Sequence, residues 1–381
     1  MANILFVLLF ILTLSPPALT QVNRAPLRIG VITSLSGPMK EMGQQAANGM
    51  KLAVESFKQE NEELASFIQI NLKDDQSLPS KAVDQAKALI EARAADVFIG
   101  PLTSVATFEV APIVEASRRP FITASETSIP NTPSNSHFFR SSVADEYQAI
   151  LVARFSYQKF GKTTTIIFQK DSQYSTQIKE TYEKEFKRLG GSIVDSEFFV
   201  EGVSDFSPML KNIKKHNPSS VFAPVFYDNA APIITQGKKL GIGAPFLGIT
   251  AWDSPKLYAD ASKVAITGHF FPAYFSDDDP SDKMKDFIQS YRRRFGRKPN
   301  VYASQGYDAM MLALEAYKKA NTSRTSPYEN SLERISLPSA LYPMDSFDKN
   351  GNAKRSISIR KTSPSGSEFY DNISFADPTK K

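Results

Sequence analysis

Cysteine is absent from this 381-residue chain. That excludes disulfides, thiolate metal sites, cysteine nucleophiles and lipid attachment through an N-terminal cysteine. Histidine is nearly absent too, with His137, His216 and His269 only. None of the three stands in a metal-ligand spacing or beside a serine nucleophile. The chain also lacks a G-x-S-x-G elbow, a Walker A loop and an H-E-x-x-H helix. Gly241-x-Gly243 follows a helix and has no third glycine, so it is not a dinucleotide fingerprint. Asp348-x-Asn350-Gly351 lacks the acids of a calcium loop and reads as a turn. No metal or cofactor is expected, and nothing in the chain asks for catalysis.

Long apolar runs are missing beyond residue 20, where no segment approaches the ~20 residues of a membrane span. Residues 4–14 form a shorter run, broken at Pro16-Pro17 and followed by the small residues Ala18-Leu19-Thr20. This is the length of a signal-peptide core. We expect residues 1–20 to be a signal peptide cleaved near Thr20, which implies a periplasmic or other extracytoplasmic address. A membrane-tethered N-terminal anchor is the competing reading, because no Lys or Arg precedes the run.

What is present is ordinary in bulk: 41% hydrophobic, 22% charged and a net charge of +5. Basic residues are scattered among acids except at Arg292-Arg293-Arg294, with Arg297 and Lys298 close behind. A helix C-terminus favours such a cluster. No basic stripe with interleaved aromatics exists, so no nucleic-acid partner is expected.

The order of elements is more telling. Residues 27–33 read as a buried strand, Ser34 to Pro38 as a turn, and 43–61 as an amphipathic helix with Ala46, Met50, Ala53, Val54 and Phe57 on one face. The same grammar repeats as strand 67–72, helix from Pro79, strand 96–101, helix 104–117 and strand 120–123. It restarts with helix 146–160, then strands at 164–168, 192–200, 220–225 and 245–248 separated by helices. Such alternation predicts parallel sheets flanked by helices in two lobes. An extended aromatic run at 268–275, helices at 281–295 and 303–321, an Asn350-Gly351 hairpin turn and a strand at 357–359 follow. Residues after Gly366 are polar and are expected to fray.

Ligands of such sheets bind beyond the carboxyl ends of the strands. Ser104 stands there, directly after a strand and at a helix start, where unpaired N–H groups and the helix dipole favour an anion. An N-cap role would use the same residue type.

The series Gly30 to Pro38 with Gly43 and Gly49, then Asp74-Asp75, then Ile99 to Ser104, resembles the type I periplasmic binding proteins. Within these it is most similar to the branched-chain amino-acid (Leu/Ile/Val) binding proteins of bacterial transporters. Tyr174, Asp205-Phe-Ser, Gly248 with Trp252-Asp253, and Phe347-Asp-x-x-Gly351 extend the resemblance over 27–359. It implies an α/β two-lobed clamp with three hinge crossings, near 142–146, 272–276 and 342–346. Lobe 1 would be 27–143 plus 275–344, lobe 2 144–274 plus 345–370, and 371–381 a polar tail.

The resemblance also implies roles. Ser104 would hold a ligand carboxylate; Thr127 and Ser125 would receive an ammonium; Tyr174 and Phe226 would close over the ligand. Two positions depart from the family pattern. Thr250 stands where a carboxylate is usual, and Met42 replaces an aromatic platform. Asp253, Asp228 or Glu126 could supply the missing charge, or the ligand could lack an ammonium. The implied partners are a small-molecule ligand (an amino acid or related small carboxylate) and a membrane ABC permease or sensory receptor. The implied function is capture by hinge closure and delivery to the permease, with envelope sensing or scaffolding as the alternative.

Overall fold

A computed structural model describes residues 26–124, 137–323, 328–338 and 340–375. The expected signal segment, and the site candidates Ser125, Glu126 and Thr127, lie outside these residues.

The first sheet holds β1 (Leu27–Thr33), β2 (Ile68–Asp74), β3 (Val97–Ile99), β4 (Phe121–Thr123) and β5 (Phe138–Arg140) in the order β2-β1-β3-β4-β5. Every pairing in it is parallel. Helices α1 (Lys40–Glu60), α2 (Glu62–Ala65), α3 (Pro79–Glu91) and α4 (Ser104–Ala116) make the connections. Strand β1 is buried on both faces: Ile29 and Val31 enter one core, and Ile32 the opposite one. That two-sided burial is why its sequence runs apolar without alternation.

Helix α5 (Asp145–Lys159) opens the second lobe. Its sheet takes β6 (Thr163–Gln169), β7 (Ser192–Phe199), β8 (Ser220–Phe222), β9 (Phe246–Leu247) and β10 (Phe270–Ala273). Their order, read from the edge, is β7-β6-β8-β9-β10, the same permutation as the first sheet. The lobes are thus siblings in topology. Helices α6 (Gln173–Arg188), α7 (Ser207–His216), α8 (Tyr227–Lys239) and α9 (Pro255–Asp260) cover this sheet, with a 3-10 turn at Thr250–Trp252.

The chain then returns to the first lobe with α10 (Asp282–Phe295), α11 (Val301–Ser323) and α12 (Tyr328–Glu333). Helix α11 lies directly on α1, because a Cβ at Gly49 would sit 1.9 Å from the Ala303 carbonyl. Only glycine permits that approach.

A hairpin follows, β11 (Met344–Phe347) and β12 (Ala353–Arg355). Met344 and Ala353 belong to the first-lobe core, and Phe347 packs on Phe139 with ring centroids 5.0 Å apart. Strands β13 (Ile357–Ser363) and β14 (Gly366–Ile373) then add antiparallel to β10. The chain therefore passes between the sheets at 141–144, 274–281 and 355–357. The third passage lies later than the expected 342–346, because the hairpin's apolar residues are buried in the first lobe.

Two further expectations are corrected. Residues Gly366–Ile373 do not fray: they pair with β13 as the edge strand, and the polar tail expected from 371 begins with residues of that strand. Strand β5 was not foreseen as a strand, its pattern being only three residues long. No helix among the described residues is long and apolar enough to cross a membrane.

Candidate functional site

In both sheets the strand order reverses beside the first strand, between β1 and β3 and between β6 and β8. Such switch points splay successive connections to opposite faces and leave a crevice beyond the strand ends. Ser104 follows β3, Tyr174 follows β6, Phe226 follows β8 and Thr250 follows β9. Each lobe therefore brings its candidates to the carboxyl end of its sheet.

On the first lobe, Thr103 caps α4: its hydroxyl accepts the Ala106 N–H at 3.3 Å. Ser104 is the first helical residue, half-buried, and among the described residues its hydroxyl has no protein partner. The capping role weighed for Ser104 belongs to its neighbour, which satisfies the Ala106 and Thr107 N–H groups through its hydroxyl and carbonyl and leaves the Ser104 hydroxyl and the N–H groups of Ser104 and Val105 open. Gly100 adopts φ +92° and approaches β1 so closely that a Cβ would lie 2.0 Å from the Ile32 carbonyl. The loop that delivers α4 is therefore pressed against the strand end.

The neighbouring turn is held by Asp74 and Asp75. Asp74 accepts from the Leu35 N–H at 2.8 Å, the Gln76 N–H at 2.8 Å and the Ser36 hydroxyl at 2.7 Å. Burial pushes its carboxyl upward, but these bonds outweigh it and hold the group below its ordinary range. Asp75 accepts from the Ser34 hydroxyl at 2.6 Å. Both acids thus shape the turn. Met42, in the first turns of α1, packs its half-buried side chain on the first-lobe core.

On the second lobe, Tyr174 and Phe226 stack with centroids 5.5 Å apart and planes 28° apart. Phe226 remains 46% exposed, enough to present an apolar face outward. Three buried side chains fix these loops. The Ser175 hydroxyl donates to the Pro224 carbonyl at 2.6 Å and accepts the Gln169 N–H at 3.1 Å, joining the β6 and β8 ends. The Trp252 indole donates to the Val225 carbonyl at 3.0 Å. Gln148 of α5 accepts the Thr250 N–H at 2.9 Å. Asp253 touches solvent, yet desolvation raises its carboxyl, with Arg360 opposing and Asp277 adding to the shift. Asp228 is exposed in the first turn of α8 and accepts the Asn229 N–H.

The passages between the lobes form a polar knot that sequence reading missed. The Arg355 guanidinium pairs with Asp308, and donates to the Ser141 carbonyl at 2.5 Å and the Tyr342 carbonyl at 2.7 Å. Asp308 also accepts the Leu341 N–H at 2.8 Å. Tyr274 donates to the Val143 carbonyl at 3.3 Å, and the Ser276 N–H donates to the Tyr342 hydroxyl at 3.0 Å. A recess lies among these groups, lined by all three passages and α11. Only long-range pairing reveals it, since Arg355 and Ser141 stand 214 residues apart.

A family model described as a periplasmic binding protein matches residues 26–367. A leucine-, isoleucine-, valine-, threonine- and alanine-binding protein of Pseudomonas aeruginosa is 20% identical over 86% of this chain and 87% of its own length. The crystal structure of a putative branched-chain amino-acid ABC transporter protein from Rhodospirillum rubrum has a TM-score of 0.76 at 17% identity, covering 91% of this chain and 100% of that one. An ABC-transporter solute-binding protein from R. palustris, in complex with benzoate, has a TM-score of 0.58 at 20% identity, covering 93% and 98%.

Proposed function

From the premise that this chain belongs to the periplasmic binding protein family, we propose that it captures a small carboxylate between its lobes. The lobes close about the three passages, and the protein hands its cargo to a membrane ABC permease. It acts outside the cytoplasm after export through residues 1–20, as a binder rather than an enzyme.

One observation carries this reading. The unpartnered Ser104 hydroxyl, with the open N–H groups of Ser104 and Val105, stands at one switch point, and the stacked Tyr174–Phe226 pair stands at the equivalent point of the sibling sheet. An anionic group would take the first, and an apolar or planar body would lie against the second. Ser125 and Thr127 would complete the first-lobe surface; Met42 and Thr250 would line it without adding charge.

The ligand needs a carboxylate but not an α-ammonium. A buried ammonium without an opposing charge is costly, and Thr250 offers none. The ligands for which relatives are named span both cases, amino acids and benzoate. Only a ligand that touches both lobes shifts the balance toward closure.

Calorimetry against amino acids and their 2-oxo and aromatic acid counterparts tests this. Binding of at least one acid lacking an ammonium, with a smaller radius of gyration on saturation, is the expected result. Binding restricted to amino acids, or an unchanged scattering profile, would refute it.

A further inference from the structure

Helix α4 is apolar on every side: only Ser104, Thr107, Glu109 and Glu115 are polar among its 13 residues. A helix of that composition is ordinarily covered on both faces. One face is covered, since Ala106, Val110 and Val114 enter the core beneath it. The other is bare. Val105, Phe108, Pro112 and Ala116, at the helical spacing of a single stripe, are all exposed, Val105 by 61% and Phe108 by 42%. Leu78, 50% exposed, stands at the same end of the sheet, at the start of the adjoining α3.

The fold does not impose this exposure. Strand β8 holds in the second sheet the place that β3 holds in the first, so α8 is the counterpart of α4. The exposed residues of α8 are Asp228, Lys238 and Lys239, all charged. The bare stripe is therefore a property of this helix and not of its position. Single exposed apolar residues need no explanation, but a contiguous row of them marks a contact.

Charge indicates what makes the contact. Glu109 lies within the stripe and Lys87 lies on α3, which packs beside α4; both are exposed, and neither has an ion-pair partner among the described residues. Such a surface complements itself. Turned through a two-fold axis onto a second copy, stripe meets stripe, and the unpaired cation of each copy is offered to the unpaired anion of the other. A lipid surface would instead bury Glu109 without an opposing charge, which is costly.

We infer that two copies of this chain associate through the outward faces of α4 and α3. Each helix has 13 residues and so spans about 20 Å. The pair of faces covers on the order of 1,000 Å² in total, the size of a weak, concentration-dependent contact. The second lobes contribute nothing to it and stay free to move, and the inference does not depend on what the cleft binds.

Sedimentation equilibrium of the full mature chain across the micromolar range tests this, with a mass rising toward twice that of one chain as the expected result. Phe108→Glu changes an exposed position; it should keep the thermal midpoint and weaken association about tenfold, because aromatic anchors carry much of a contact's energy. Lys87→Glu and Glu109→Lys should each weaken it, and the double exchange should restore part of the loss. The absence of cysteine gives a second readout: under mild oxidation Phe108→Cys should yield a disulfide-linked dimer, and Lys238→Cys, on α8, should not. Monomeric behaviour throughout that range overturns the inference, and loss of permease-dependent uptake in Phe108→Glu would then assign the stripe to the transporter. A dimer untouched by Phe108→Glu overturns it as well.

Discussion

The Tyr147 hydroxyl donates to the Asp348 carboxylate at 2.7 Å, tying the first helix of the second lobe to the hairpin turn of the first. Asp348 also accepts from the N–H groups of Asn350 and Asn352, both at 2.8 Å. Burial raises its carboxyl, but Tyr147 and Asn352 outweigh that and leave it below the ordinary range. The bond is therefore charge-assisted at neutral pH.

Replacing Tyr147 by Phe keeps the ring against Phe375, whose centroid is 4.7 Å away, and removes only the bond. The ligand-free protein should then sample a wider range of interlobe distances. Electron–electron resonance between spin labels on the two lobes measures this, and a distribution as narrow as that of the parent would show that the contact does not restrain the lobes.

Thr103 and Ser104 separate stability from binding. Thr103→Ala removes the cap of α4 and should cost about 1 kcal/mol of folding stability in chemical denaturation. Ser104→Ala should leave the denaturation midpoint in place while weakening carboxylate binding about tenfold. Equal loss of stability in both variants would return Ser104 to a structural role.

Arg355 and Asp308 are 7% and 3% exposed. Arg355→Met leaves a buried carboxylate without its partner and should cost about 3–5 kcal/mol. Adding Asp308→Asn should restore a large part of that loss, since the uncompensated charge is gone. A thermal melt of the single and double variants checks this; a double variant as unstable as Arg355→Met alone would contradict it.

His269 gives a pH dependence of defined sign. Its Nδ1 accepts the Phe246 N–H at 3.0 Å, so the ring proton is on Nε2, which donates to the Ala265 carbonyl at 2.7 Å. Burial depresses its pKa to about 4 from the ordinary 6.5, partly opposed by the Ala265 bond. The folded state therefore resists a proton that the unfolded chain accepts. Its contribution is intact above pH 6.5 and declines as pH falls toward 4, by a total on the order of 3 kcal/mol. His269→Gln, compared with the parent by urea denaturation between pH 7 and 4.5, should flatten that part of the profile.

Most of the architecture was legible because β1, the α1 face and the later strand–helix repeats carry their periodicity locally. Helix α4 was placed at its first residue, Ser104. The strand β5 was invisible, being three residues of Phe-Phe-Arg with no alternation to read. Strand β14 was mistaken for a polar tail because an edge strand with exposed faces looks like loop in composition. Of the site, positions after strand ends were readable, and the stack of Tyr174 on Phe226 links two residues that had been singled out separately. Arg355, Asp308 and Tyr342 escaped notice because their meaning comes from partners brought together by three distant passages. Gln148 and Trp252, which hold the Thr250 and Phe226 loops, read in isolation as ordinary helix and core residues.

Residues 344–373 complete the hairpin of one lobe and then the edge of the other's sheet. A nascent polypeptide consequently cannot assemble either half to its finished form from a contiguous stretch. Until those thirty residues are available neither half can complete its fold, which makes this segment the last piece to lock the assembly.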